Sequence, residues 1–244
     1  MSGLKRLCTV IALVAASSVL LAQTQGLTVR LSTIAPANST WDLALRQMGA
    51  DWDKATSGRV KLRVTGGGTQ GSQSTYIRYM RPEVNEVDAA LLTAGGLAEV
   101  DQAFNAYGIP FFFQSDSEEQ AVRQKLEPQI VKRLEAKHFH LLSWGHGGWV
   151  QLFSTVQVKT LDDLKKTKLW ASKDDTEMIK WYTNNGFHPV AQDTTGIVTG
   201  LRTGTLNAAP LPPYAAVSLQ LTGVVKYMTA TSAPTRSLML TSSR

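Results

Sequence analysis

Residues 164–170 read Leu-Lys-Lys-Thr-Lys-Leu-Trp and end on an indole. An indole offers a flat apolar face and one N–H donor. Lys173 follows just beyond it and Arg202 lies further on, two cations able to meet an organic acid. Other constellations carry less chemistry. Gly66-Gly67-Gly68 is not followed by Gly-Lys-Ser/Thr and opens no Gly-x-Gly-x-x-Gly pattern, so it reads as a turn rather than a phosphate cradle. His138 and His140 are spaced to share one strand face, with His146 and His188 elsewhere, but clustered carboxylates or thiolates that would complete a metal site are missing. Asp162-Asp163 and Asp174-Asp175 are carboxylate pairs of the kind acid–base catalysis uses. Thr160 with Asp163 three residues on nevertheless reads as a helix cap, and Asp174 sits at a second helix start. A hydrolase would need a nucleophile with its base; there is no Gly-x-Ser-x-Gly elbow. The chain is therefore expected to be a binder and not an enzyme, with neither cofactor nor metal.

Lys5 and Arg6 precede an apolar run over residues 7–22, followed by the polar Gln23-Thr24-Gln25-Gly26. This is the pattern of a secretory signal peptide, residues 1–22, with small residues offering cleavage points and an apolar core shorter than a membrane span needs. An uncleaved anchor is the alternative. The single cysteine, Cys8, lies in this segment in a poor lipobox context, so the mature chain is expected to carry no thiol chemistry and to be a free periplasmic protein. The formal charge of +6 falls by two, to +4, when Lys5 and Arg6 are removed. The remaining cations are scattered, which argues against nucleic acid.

Residues 28–33 alternate polar and apolar, and Trp41, Leu45, Met48 and Trp52 then follow at helical spacing. Alternation returns with Val60, Leu62 and Val64, a helix is expected around 74–80, and 87–92 reads as a buried strand. The same β-α-β-α-β order recurs with strands at 168–171, 188–191 and 206–209 and helices at 174–185 and 194–203. Between the halves, a helix at 118–134 leads into alternating strands at 138–144 and 148–154, which together read as one long crossing strand. An apolar strand at 236–241 suggests a return toward the first half. Two crossings make a hinge, and facing α/β sheets put a ligand at their strand ends, in the cleft between lobes.

The stretches Leu-Ser-Thr-Ile-Ala-Pro-Ala-Asn-Ser-Thr-Trp (31–41), Gly66-Gly67-Gly68-Thr69-Gln70-Gly71, Val87-Asp88-Ala89-Ala90, Gly95-Gly96-Leu97 and Ile109-Pro110-Phe111-Phe112-Phe113 resemble motifs of the DctP-type substrate-binding proteins of tripartite ATP-independent periplasmic (TRAP) transporters. The likeness runs from Val29 to the last residue. It implies an α/β, two-lobed periplasmic binding protein fold, type II-like, with the ligand in the interlobe cleft. Lobe I is expected over 27–144 with the returning strand 232–244, and lobe II over 148–230. It also implies a TRAP membrane permease as partner, driven by an ion gradient rather than ATP.

Departures from the resembling pattern bear on the ligand. Where the family runs Asp-Leu-Lys-Gly-Leu-Lys-Ile-Arg, with the arginine pairing a substrate carboxylate, this chain has Trp170. Leu211 stands within Pro210-Leu211-Pro212-Pro213 in place of a Glu-Asn-Pro, and Trp149 stands where many relatives carry arginine or histidine. A buried guanidinium stabilises a complex only when a carboxylate answers it, so a neutral or largely apolar ligand is expected. Indole faces and polar groups would hold it: Thr33, Trp41, Gln70, Trp149, Trp170, Lys173, Asp193 and Leu211. An organic acid met by Lys173 or Arg202 is the alternative, as is a ligand-binding partner of a sensor protein. Relatives run on for several more helices, so a truncated product or fragment of marginal stability is expected, with a compact variant as the alternative.

Overall fold

The computed structural model describes residues 26–109, 112–229 and 235–243. The expected signal peptide and Cys8 lie outside them, as do 232–234 and 244 of the returning strand.

Strand β1 (Leu27–Thr33) passes from exposed to fully buried along its length. Helix α1 (Thr40–Ala55) follows, capped by the Ser39 side chain, which accepts from the Asp42 N–H. Strand β2 (Val60–Thr65) runs parallel to β1. Gly49 lets α1 lie close on it: a Cβ there would stand 3.0 Å from Leu62 Cβ. Helix α2 (Gln73–Tyr79) and strand β3 (Ala89–Thr93) complete the unit, with β1 between β2 and β3.

The second half repeats this order. Strand β5 (Lys168–Ser172), helix α6 (Thr176–Asn184), strand β6 (His188–Gln192), helix α7 (Ile197–Thr203) and strand β7 (Ala208–Leu211) build a second parallel set, with β5 between β6 and β7. The orders β2-β1-β3 and β6-β5-β7 are the same topology, so the doubled pattern in the sequence is a doubled architecture.

Between them, helix α3 (Ala94–Ala98) leaves β3, helix α4 (Asp116–Glu135) follows, and strand β4 (His140–Ser154) joins the two sheets. The long crossing strand expected over 138–154 is present as one strand, His140–Ser154, which begins two residues later than expected. Strand β9 (Thr235–Ser243) pairs antiparallel with both β3 and β4, and the later part of β4 then pairs with β7 and with β8 (Tyr227–Thr229). The register shifts between His146 and Trp149, where Gly148 has φ +81°, so the strand bends as it crosses while its pairing continues. Gly145 lets Trp41 lie on this crossing: a Cβ there would overlap the indole.

His138 corrects one expectation, since it has φ 64° and precedes β4, so it shares no strand face with His140. Among the described residues no group of three or more His, Cys, Asp or Glu is placed to hold a metal ion. Thr160 and Asp163 form a capping box on the short helix α5 (Leu161–Lys165).

Each sheet has its own core. Tyr76, Met80, Leu92, Leu97 and Phe104 fill one beneath α2 and α4, and Phe153, Ile197, Leu201, Leu206 and Leu221 fill another under α7. Asp101 ties the first core's edge together. It is 3 % exposed, caps the turn at Gln102–Gly108 through the Ala103 N–H, and accepts from Arg133 of α4 at 2.6 and 2.9 Å, with Lys137 at 3.2 Å. The Arg133 hydrogen bond, opposed by burial and helped by the Ala103 N–H and Lys137, holds its carboxyl far below the ordinary range. A depressed carboxyl contributes stability above its unfolded pKa of about 3.9 that is lost as pH falls toward the folded value. Asp101→Ala is expected to cost about 1–3 kcal/mol at pH 7, allowing for the exposure of Arg133, and the difference from the parent should shrink in melts below about pH 4. A constant difference from pH 7 to 3 would refute this.

Candidate ligand cleft between the two sheets

The strand ends of both halves converge on one cavity of about 240 Å³. The first half contributes Ile34 and Pro36 after β1, Gln73 at the start of α2, and Thr93, Ala94 and Gly95 at the β3–α3 corner. The second half contributes Trp170, Ala171 and Ser172 of β5, Asp174 and Asp175 beyond it, Met178 and Tyr182 of α6, and Pro210 to Pro212 at the end of β7. Helix α8 (Pro213–Ser218) adds Tyr214 and Ala215. The volume lies below the roughly 300–1,000 Å³ of ordinary ligand pockets, so its occupant is small. A wider hollow of about 590 Å³ lies on the rim around Glu99, Asp101, Arg133 and Lys137. The inner cavity is the better site because it sits at the carboxyl ends of both parallel sheets.

Of the residues proposed from sequence, Trp170 and Leu211 line this cavity. Trp170 packs on the second core, and its indole N–H finds no acceptor among the described residues. Leu211 is buried at the end of β7. The others are placed elsewhere. Thr33 is fully buried and accepts from the Ala35 N–H at 3.0 Å. Trp41 packs beside Leu31, Leu45 and Leu91 and covers Gly145, while Gln70 accepts from the Ser32 hydroxyl. Trp149 leans on the first core opposite β9. Lys173 is held by Asp193 at 2.7 Å, and Asp193 lines a small adjoining hollow near Gly68 and Ser72. Arg202, named for the alternative, is exposed in the last turn of α7.

Several wall residues were not singled out from sequence. Gln73 is 3 % exposed and clamps Thr93 twice: its Nε2 donates to Thr93 Oγ1 at 2.9 Å, and its Oε1 accepts from the Thr93 N–H at 2.6 Å. Thr93 Oγ1 also accepts from the Gly96 N–H, capping α3. Asp174 and Asp175 divide roles that the sequence joined. Asp175 is the cap of α6, accepting from the Met178 N–H at 3.0 Å. Asp174 caps no helix of its own half and accepts instead from the Gln73 N–H and Ser74 hydroxyl, each at 2.9 Å. Burial pushes the Asp175 carboxyl up, against the Met178 N–H. Burial, with Asp175 adding to it, raises the Tyr182 hydroxyl; burial alone takes Tyr214 to about 12. The strand-end rule, applied position by position, would have marked Thr93 and Ser172. No local signal marks Gln73 or Tyr214.

Chemically, the wall is apolar with a few polar groups, and its charged members among the described residues are Asp174 and Asp175. It can stack a flat apolar surface on an indole and accept hydrogen bonds from a donor. It presents neither a nucleophile with a base nor, among the described residues, a cation to meet a carboxylate.

The profile of the bacterial extracellular solute-binding proteins, family 7 (DctP), matches residues 31–244. The 2,3-diketo-L-gulonate-binding periplasmic protein YiaO of Escherichia coli K12 is 24% identical over 178 residues, 72% of this chain. The chain spans about half the length of that relative, 53%. Among solved structures, a TRAP periplasmic solute-binding protein from Xanthobacter autotrophicus Py2 with bound β-D-galacturonate matches with a TM-score of 0.79 at 19% identity, covering 88% of this chain and 72% of the other. One from Pseudomonas putida F1 with D-glucuronate gives 0.77 at 22%, covering 89% and 71%. One from Roseobacter denitrificans OCh 114 with L-galactonate gives 0.80 at 18%, covering 91% and 73%. At these identities the structures speak for the fold, while the profile spans most of the chain. This chain belongs to family 7 of the bacterial extracellular solute-binding proteins, the DctP family, whose members are receptors rather than enzymes.

Proposed function

We propose that the chain is an extracytoplasmic solute receptor that closes two lobes, about 27–144 with 232–244 and about 148–230, over a small ligand. It would receive that ligand in the periplasm, which its N-terminal signal peptide lets it reach, and deliver it to a TRAP-type permease. The ligand is a small neutral molecule with an apolar face and a hydrogen-bond donor. One observation carries this reading: the cavity wall sets the Trp170 indole beside two carboxylates, Asp174 and Asp175, with no lysine, arginine or histidine among the described lining residues. An acid would meet like charge there, uncompensated. Lys173, already answered by Asp193, is poorly placed to offset it.

The relatives favour a second reading, since the three neighbours above were solved with sugar acids. Mass spectrometry of ligand released from the purified protein by denaturant separates the two. A neutral species whose binding is weakened in Trp170→Ala and kept in Lys173→Ala is expected. A dicarboxylate or keto acid that Lys173→Ala releases and Trp170→Ala retains would overturn the neutral-ligand reading and leave the receptor reading standing.

A further inference from the structure

Asp174 joins the two halves of the chain across the cleft. Both of its carboxylate oxygens are committed across the cleft. Oδ2 accepts from the Gln73 N–H and Oδ1 from the Ser74 hydroxyl, each at 2.9 Å, over a hundred residues of sequence. The receiving corner is rigid, because the Gln73 side chain is clamped to Thr93 and Thr93 in turn caps α3. The neighbouring Asp175 already caps α6, so the local helix does not require Asp174. Beside this contact, Gly68 of the first half lies against Thr195 of the second, where a Cβ would stand 3.4 Å from Thr195 Cγ2.

We propose that Asp174 is a latch that holds the lobes closed without help from a ligand, so that the empty receptor already populates the closed form. Opening exchanges two charge-assisted hydrogen bonds for water, and closing restores them. Such bonds are stronger than neutral ones, and any interaction made in one state alone shifts the balance toward that state. The latch thus contributes to ligand affinity by raising the competent fraction before binding. That consequence rests on the receptor reading, whereas the latch itself does not.

The test measures the ligand-free protein. Spin labels are placed at Lys61→Cys in β2 and His188→Cys in β6, exposed positions on the outermost strands of the two sheets, in a Cys8→Ser background. Pulsed electron paramagnetic resonance then reads the interlobe distance after ligand removal by denaturation and refolding. The parent is expected to show a dominant short distance. Asp174→Ala should shift the closed-to-open ratio by about tenfold or more toward the longer distance, and Ser74→Ala by less. Asp174→Asn should recover part of the short population, since its oxygen still accepts from Gln73 and its amide can donate to Ser74. Distances unchanged in Asp174→Ala, whether short or long, would overturn the proposal. If Asp174→Ala lacks a cooperative melt, Ser74→Ala decides in the same way. Because no ligand enters the measurement, a latch can fail while a receptor stands, and a chain that retains no small molecule can still show the latch.

Discussion

Alanine at position 96 is expected to destabilise the protein by about 2–4 kcal/mol and to lower its melting temperature by roughly 5–15 °C. A Cβ on Gly96 would stand 2.5 Å from Gln73 Oε1, 2.7 Å from Cδ and 2.9 Å from Cβ. Contacts this short force something to move. Gln73 is 3 % exposed and doubly hydrogen-bonded to Thr93, so it cannot swing into solvent without leaving buried polar groups unpaired. Overpacking of a filled site costs about 1–3 kcal/mol, and loss of the Gln73–Thr93 pair adds to it. The displacement would also move the Gln73 N–H that Asp174 engages, so ligand affinity should fall with stability. Gly223→Ala is the control, because nothing stands within 4 Å of a Cβ there and its φ is not positive. Equal melts for the two variants would refute the close-packing argument.

Gly96 shows what can be read from the chain and what cannot. The Gly95-Gly96-Leu97 motif supported the family resemblance, yet nothing near it in sequence says that Gln73, more than twenty residues away, occupies the space a side chain would need. Periodic features were legible because their cause is local. Alternation in 28–33 and at Val60, Leu62 and Val64 reflects half-buried strands, and the doubled β-α-β-α-β order emerged from it. The long crossing strand was legible although Gly145-His146-Gly147-Gly148 interrupts its alternation; its register with β9 was not, because that pairing joins segments about ninety residues apart. The site divided in the same way. Trp170 and Leu211 stand at strand ends and carry departures from a motif, so they were visible. Asp174 was read as a cap because a carboxylate ahead of a helix usually is one, and here its neighbour fills that role. Lys173 was a free cation on paper and half of an ion pair in the fold.

Trp170→Arg alone should leave the protein a poor receptor for a sugar acid such as D-glucuronate, and Trp170→Arg combined with Asp175→Asn should bind it at least about tenfold more tightly than the single variant. The substitution puts a guanidinium at the position for which the resemblance implies one, but the cavity it enters is walled by Asp174 and Asp175. A carboxylate fixed in the wall holds the guanidinium at no cost in association, so the ligand's carboxylate must compete with it. Asp174 is already engaged by Gln73 and Ser74, which leaves Asp175, capping α6 through one contact, as the competitor. Asparagine caps helices about as well as aspartate, so Asp175→Asn removes charge while keeping α6. The indole is lost in both variants, and its apolar face is worth about 1.5–3 kcal/mol when covered. The ligand recovered from the parent should therefore bind Trp170→Ala and Trp170→Arg roughly 10- to 150-fold more weakly. Titration calorimetry of the parent, both Trp170 variants, Asp175→Asn and the double variant, with D-glucuronate and with the recovered ligand, measures every term. If the single Trp170→Arg binds the acid as tightly as the double, Asp175 does not set the charge preference of the cleft; if the parent binds the acid as tightly as either, neither does Trp170.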